Sequence, residues 1–376
     1  MSDAPSEPRD VLITGFPSTL AGKLIEVLHS EEPSTRVRLL VEDGQREEAR
    51  HAVVELEADT ERIDLVEGRI DGLDLGLSGT EFLDLLAHVT DIYHLASAIR
   101  PTPVDDAQRE TILRATRNMA DAASEMKKLR RFNHLSTAFV SGTRTGVIME
   151  DELDEGQSFR NRYEETQFQA ESVIQQRTDR LPISVYRPTL VLGDSRTGEL
   201  GPDDGPYPWL QAMVQLPDPV PVPIPGRGHH PLNIVPVDFV ANALHAISRA
   251  PDAEGQTFHL ADPNPLSARR VMELVAEHAG KSATTGQIPY GLTRWLMRFP
   301  GLEKLTRASR QALDEFNQLT FFNSMNTVRT LGPDQQCPPF PTWVDRVVDF
   351  LQSSDTRPPS GVSQLSNLLN QADLSG

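Results

Sequence analysis

Val11-Leu12-Ile13-Thr14-Gly15-Phe16-Pro17-Ser18-Thr19-Leu20-Ala21-Gly22 decides how this chain is read. Its apolar start is a short strand of the kind buried on both faces, and the small residues that follow turn it directly into a helix. Phosphate groups bind where free helix-terminal amides can be approached closely, and Gly15, Ser18, Ala21 and Gly22 supply the small positions. Ser18 and Ala21 stand where glycine is usual. The weight of the pattern therefore comes from its place, immediately after a first strand.

Working outward, apolar runs at 37–41, 63–66, 91–95, 132–135 and 183–186 read as further buried strands. Helical periodicity is clear at 20–28 and 81–87, and each gap between strands is long enough for a crossover helix. Strand and helix in alternation imply a parallel sheet covered on both faces, an α/β doubly wound fold of Rossmann type. After Gly193 the composition turns to Gly, Pro and Asp, and 216–225 reads LPDPVPVPIP, an extended loop. The chain returns to the sheet near 232–247 and 257–260, then leaves for a smaller, mostly helical C-terminal region. The expected division is a dinucleotide-binding domain at 1–195 and 232–262, a substrate or lid region at 196–231 and 263–351, and a disordered tail at 352–376.

Charge narrows the partners. The chain carries 54 acidic against 36 basic residues, a formal net charge of -18, so it lacks the basic surface that neutralises phosphates in nucleic-acid binding. A single cysteine, Cys337, excludes an intrachain disulfide and any multi-thiolate metal site, and no metal is expected. The first eight residues show no basic region followed by an apolar core, and no later stretch approaches a membrane span. The expected location is the cytoplasm.

The second strand ends at Leu39-Leu40-Val41-Glu42-Asp43. A carboxylate there accepts hydrogen bonds from adenosine ribose hydroxyls, whereas a 2′-phosphate calls for arginine. Glu42 thus favours NAD over NADP, while Arg46 and Arg50 on the following segment keep NADP open. Further along come Leu75-Gly76-Leu77-Ser78, Tyr93-His94-Leu95-Ala96, the run from Ser136 to Gly142, Tyr163, the run from Tyr186 to Ser195, Val235-Pro236-Val237-Asp238-Phe239, and His259-Leu260-Ala261-Asp262-Pro263. With the glycine loop, and in this order over about residues 10 to 350, these segments resemble the extended short-chain dehydrogenase/reductases, within them the fatty acyl-CoA reductase and thioester-reductase branch.

The resemblance implies a nicotinamide dinucleotide, NAD or NADP, with cofactor contacts from Thr14, Gly15, Ser18, Thr19, Leu20, Glu42, Arg69, Ile70, Leu95, Ala96, Gln167, Pro188 and Thr189. It implies Thr137 as the hydroxyl that orients a carbonyl and Tyr163 as the group that transfers the proton. Ser136, Phe139, Trp209 and Met213 fall on the substrate side. The partner would be a small-molecule or carrier-bound carbonyl compound, with a homodimer left open.

Three positions depart from the pattern. Family members place a lysine four residues after the tyrosine; here Gln167 stands there, on the same helical face as Tyr163, able to hold a ribose but without charge to depress the phenol. Arg69 replaces an aspartate that contacts adenine, and Ile112 an asparagine. Arg160, one turn before Tyr163, reads most simply as a solvated residue, as does the acidic run 150–155. Reduction survives such a change better than oxidation, because a neutral phenol is already the proton donor. Two functions stay open: a reductase of acyl thioesters, aldehydes or related carbonyls, and a catalytically silent dinucleotide-binding protein with a regulatory or assembly role. Residues 292–310, basic with interleaved apolar positions, read either as a helix docked on the lid or as a contact for an anionic membrane surface.

Overall fold

A computed structural model describes residues 9–56, 58–96, 104–201, 210–211, 214, 228–281 and 319–353. Trp209, Met213, the proline-rich run 216–225, the basic segment 292–310 and residues 354–376 of the expected tail lie outside the described residues, while Gln352 and Ser353, also assigned to that tail, instead end the helix Val344–Ser353. Seven parallel strands form the central sheet: β1 (Asp10–Thr14), β2 (Arg36–Val41), β3 (Ile63–Glu67), β4 (Asp91–His94), β5 (Arg131–Leu135), β7 (Ile183–Pro188) and β10 (Thr257–Leu260). Two small parallel pairs complete it: β6 (Gly146–Ile148) with β11 (Thr320–Phe322), and β8 (Leu190–Val191) with β9 (Ile234–Val235).

The sheet order is β10-β7-β5-β4-β1-β2-β3. From β1 the chain first builds outward through β2 and β3, then crosses back to β4 and builds in the opposite direction. The strand ends at β1 and β4 therefore face no covering crossover, and such a reversal is where open sheets of this kind bind ligands. The strands expected from apolar runs are all present, and α1 (Thr19–Glu31) and α3 (Gly79–His88) cover the two periodic segments.

Side-chain alternation divides the interior. Val11, Ile13, Tyr93, Leu135, Tyr186 and Phe258 pack with Leu24, Ile25 and Leu28 of α1 and with the helix Val237–Arg249. Leu12, Ile92, Phe132 and Val185 point the other way, onto α3 and α4 (Asp106–Glu125). Each fully buried Leu or Ile contributes about 1.5–3 kcal/mol relative to exposure. A third core joins Leu190, Leu192 and Leu232 to Val271, Met272 and Val275 of the helix Ala268–His278, and to Trp343, Val347 and Leu351 near the C-terminal end of the described chain. Strand β11 was not expected from sequence; at three residues it is too short to show a period. Among the described residues no helix is long and apolar enough to cross a membrane.

Candidate active site

The glycine loop builds one wall of a cleft of about 330 Å³ at the β1/β4 reversal. Gly15 has φ +90°, a conformation that costs a side-chain-bearing residue about 1–2 kcal/mol. Ser18 caps α1, accepting the Ala21 amide at 3.3 Å, and the first turn of α1 contains no acidic residue. No carboxylate of the helix's own first turn offsets the positive end of its dipole, which suits an anionic ligand. Thr14, Gly15, Glu42, Ile70 and Ala96, all expected at the cofactor, line this cleft together with Gln45, Glu48, Gly68 and Gln108. Gly68 is needed for clearance: a Cβ there would lie 2.6 Å from the Leu75 carbonyl oxygen. A cleft of this size, with small-residue walls and a carboxylate at the β2 tip, fits the adenosine half of a dinucleotide.

Other expected contacts face elsewhere. Leu20 and Leu95 are buried in the core. Thr19 Oγ1 is packed so tightly on Gly201 that a Cβ on that glycine would collide with it. Arg69 is exposed and paired with Asp71 at 3.3 Å, outside the cleft lining. Thr189 donates to Asn233 Oδ1 at 2.8 Å, tying β8 to the segment before β9.

Thr14 is more than a lining residue. The Ala96 amide donates to its hydroxyl oxygen (3.3 Å), which leaves the hydroxyl proton for His94 Nδ1 (3.0 Å). The proton of the neutral imidazole then sits on Nε2, facing Thr116 Oγ1 at 3.5 Å, and Thr116 donates to the Ile112 carbonyl at 2.9 Å. Glycine loop, the turn after β4 and helix α4 are joined by one directional chain. Burial, with His134 stacked at 5.6 Å, holds His94 well below the usual imidazole range, and burial alone puts His134 at about 3.

Beyond β5 lies the second half of the site. Thr137 begins a tight turn, Ala138–Ser141, and accepts the Phe139 amide at 3.3 Å. Helix α5 (Arg162–Gln175) packs directly on that turn, so Thr137 and Tyr163 sit on adjoining elements. Asn161 caps α5 through the Glu164 amide (3.0 Å). Tyr163 is half-buried against Val104, Ile112, Leu113 and Ala170, which explains the apolar residue at 112 where the family pattern has asparagine. Gln167 is fully buried.

The structure corrects three expectations here. Ser136 does not face a substrate: fully buried, it donates to Glu171 Oε2 at 2.5 Å. Arg160 is not solvated, since it bonds Glu164 at 2.8 Å and lies 5.7 Å from the centre of the Phe139 ring. Burial nevertheless raises the Glu164 carboxyl, Arg160 opposing it. Nor is the acidic run 150–155 a solvated loop throughout. Glu150 is 3% exposed and accepts the amides of His259 (2.9 Å) and Asn326 (2.6 Å), while Glu152 pairs with Arg144.

Two of these corrections, Ser136 and the acidic run, share a hub. Arg187 is 1% exposed and binds Glu171 of α5 at 2.6 Å. It also donates to the Glu152 carbonyl (2.9 Å) and to His259 Nε2 (3.3 Å), whose Nδ1–H then donates to the Asn323 carbonyl (2.6 Å). Sequence reasoning quoted Arg187 only as part of a motif and missed Glu171. The signal was present: a charge inside an apolar strand must find a partner, and Glu171 lies one turn beyond Gln167.

Fold and cleft together define a dinucleotide-binding protein of the doubly wound class. The chain belongs to the NAD-binding family described as Male sterility protein, matched over residues 13–244, and within the extended short-chain dehydrogenases/reductases it falls in the thioester-reductase-like branch. It is 29% identical over 245 residues to aldehyde reductase lnaA of Aspergillus flavus, covering 59% of this chain and 22% of that protein. Fatty acyl-CoA reductase wat of Drosophila melanogaster is 27% identical over 213 residues, 49% of this chain and 41% of that one. The chain therefore spans about a fifth of the first relative's length and about two fifths of the second's. The terminal R domain from the myxalamid PKS-NRPS biosynthetic pathway shares the fold with TM-score 0.77 at 23% identity, covering 95% of this chain and 94% of that domain.

Proposed function

We propose that the chain is an NAD(P)-dependent reductase that acts on an acyl thioester, an aldehyde or a related carbonyl, free or carrier-bound. The observation that carries this reading is the packing of the Thr137 turn on helix α5, which brings a hydroxyl and a phenol to neighbouring elements at the sheet's ligand-binding end. Bound dinucleotide supplies the hydride. Thr137 orients the carbonyl oxygen by donating a hydrogen bond, and Tyr163 donates the proton to that oxygen as negative charge develops. Gln167 holds the nicotinamide ribose through its amide. Residues 1–195 and 232–262 carry the dinucleotide; 196–231 and 263–351 select the substrate. The names of the relatives, aldehyde reductase and fatty acyl-CoA reductase, support this substrate class.

A catalytically silent dinucleotide-binding protein is the second reading. It is favoured by a specific fact: the two arginines just before Tyr163 are engaged elsewhere, Arg160 with Glu164 and Arg162 with Asp106, so neither stands in for the absent lysine as an uncompensated charge. NAD(P)H consumption with acyl-CoA and aldehyde substrates separates the two for wild type, Tyr163→Phe and Gln167→Lys. The reductase reading expects activity in wild type and its loss in Tyr163→Phe. Inactive wild type with activity gained by Gln167→Lys establishes the silent reading instead.

A further inference from the structure

The adenosine end of the cleft carries charge of one sign. Among its described lining residues the charged ones are Glu42, at the tip of β2, and Glu48, in the first turn of α2 (Arg46–Glu55). The two arginines that could have met a 2′-phosphate are turned to other partners. Arg46 Nη1 lies 3.4 Å from Glu67 on the neighbouring strand end, and Arg50 Nη1 lies 3.6 Å from Glu47. Neither lines the cleft. Arg69 is held by Asp71.

Helix α2 makes this arrangement informative. Its N-terminal amides and dipole would otherwise suit a phosphate. Glu47 and Glu48 occupy that first turn, and Glu48 is the one that reaches the cleft. An acidic residue in a helical first turn is common, and its ordinary role is to complement the dipole. Glu48 differs in sharing a cleft wall with Glu42 and Gln45, six and three positions away, at the place where a ribose 2′-substituent would sit.

We propose that Glu48 is a specificity-determining residue: with Glu42 it admits the ribose diol of NAD and repels the 2′-phosphate of NADP. This rests on the dinucleotide reading above. A 2′-phosphate placed beside two carboxylates meets like charge, whereas two ribose hydroxyls find acceptors there. Gln45 adds an uncharged amide that can bond either hydroxyl.

The test is fluorescence titration of the purified full chain with NADH and with NADPH, for wild type, Glu48→Gln, Glu42→Gln and Glu55→Gln. Glu55 is exposed on the same helix but outside the cleft, so it controls for net charge. Wild type should bind NADH at least about thirtyfold more tightly than NADPH. Glu48→Gln should narrow that ratio about tenfold, chiefly by tighter NADPH binding, and Glu55→Gln should leave it unchanged. The wild-type ratio should also shrink as salt is raised, because the repulsion is screened. Equal affinity for the two nucleotides in wild type, or equal effects of Glu48→Gln and Glu55→Gln, overturns the specificity claim while leaving the cleft a dinucleotide site. Binding of neither nucleotide overturns the dinucleotide reading, and the specificity claim with it.

Discussion

The two ends of the candidate site are built by different means. At the adenosine end the cleft is shaped mainly by backbone: Gly15 at φ +90°, Gly68 against a carbonyl, and helix termini pointing into it. At the Thr137 end the shape is held by buried side chains drawn from distant parts of the chain, with Arg187 joining α5, residue 152, β10 and residue 323. A backbone-built site tolerates changes in side-chain chemistry while keeping its geometry. A side-chain-built one does not, so substitutions should hurt the second end far more.

The strongest way to break the comparison is at the hub. Arg187→Leu leaves Glu171 buried without its cation and should cost about 3–5 kcal/mol of stability, read as urea midpoint, because desolvated charge is then uncompensated. A loss below about 1 kcal/mol would mean that the network does not hold α5. Replacing both partners, Glu171→Met with Arg187→Leu, should recover much of the loss.

Acid sharpens the same contrast. His134 and His259 are held at about 3 and His94 well below its usual range, all by burial. The folded state therefore resists protons that the unfolded chain accepts below about 6.5. Stability is full above that pH and is lost as pH falls from about 6.5 toward 3. Thermal melts across this window should show the decline, and His134→Phe should flatten it. An unchanged slope in that variant would remove His134 from the account.

A smaller effect is expected where backbone alone is strained. Among the described residues Asp74 and Leu75 are the non-glycine ones with positive φ, 49° and 59°, in the turn that leads to α3. Asp74→Gly should stabilise by about 1 kcal/mol through relief of that strain. Leu75→Gly should not stabilise, because Leu75 is 1% exposed and its burial is worth more. Equal effects of the two would show that the turn carries no strain.

The same division explains what was legible in the sequence. Strands, sheet reversal and glycine loop follow from local apolar runs and small residues; the segment 232–247, expected to rejoin the sheet, instead forms a two-residue strand paired with β8 and the helix Val237–Arg249. Thr14, Gly15, Glu42, Ile70 and Ala96 line the cleft because backbone position alone carries them there. Thr19 and Leu20 sit in the same motif, yet their side chains turn to Gly201 and the core, which a linear pattern does not encode. Ser136 and Glu150 were hidden for one reason. Each is defined by a partner on another element, and no local period announces a pair such as Glu150 with the amide of Asn326.

The central claim is that a neutral Tyr163, beside an uncharged Gln167, donates the proton in carbonyl reduction. Its most direct test is the pH dependence of NADH oxidation with an aldehyde substrate, for wild type and Gln167→Lys. An ammonium one turn from the phenol favours phenolate, so the alkaline fall in rate should move to lower pH in Gln167→Lys while the wild-type rate persists beyond it. Superimposable profiles for the two, or a Tyr163→Phe variant with the wild-type profile and rate, would contradict the assignment.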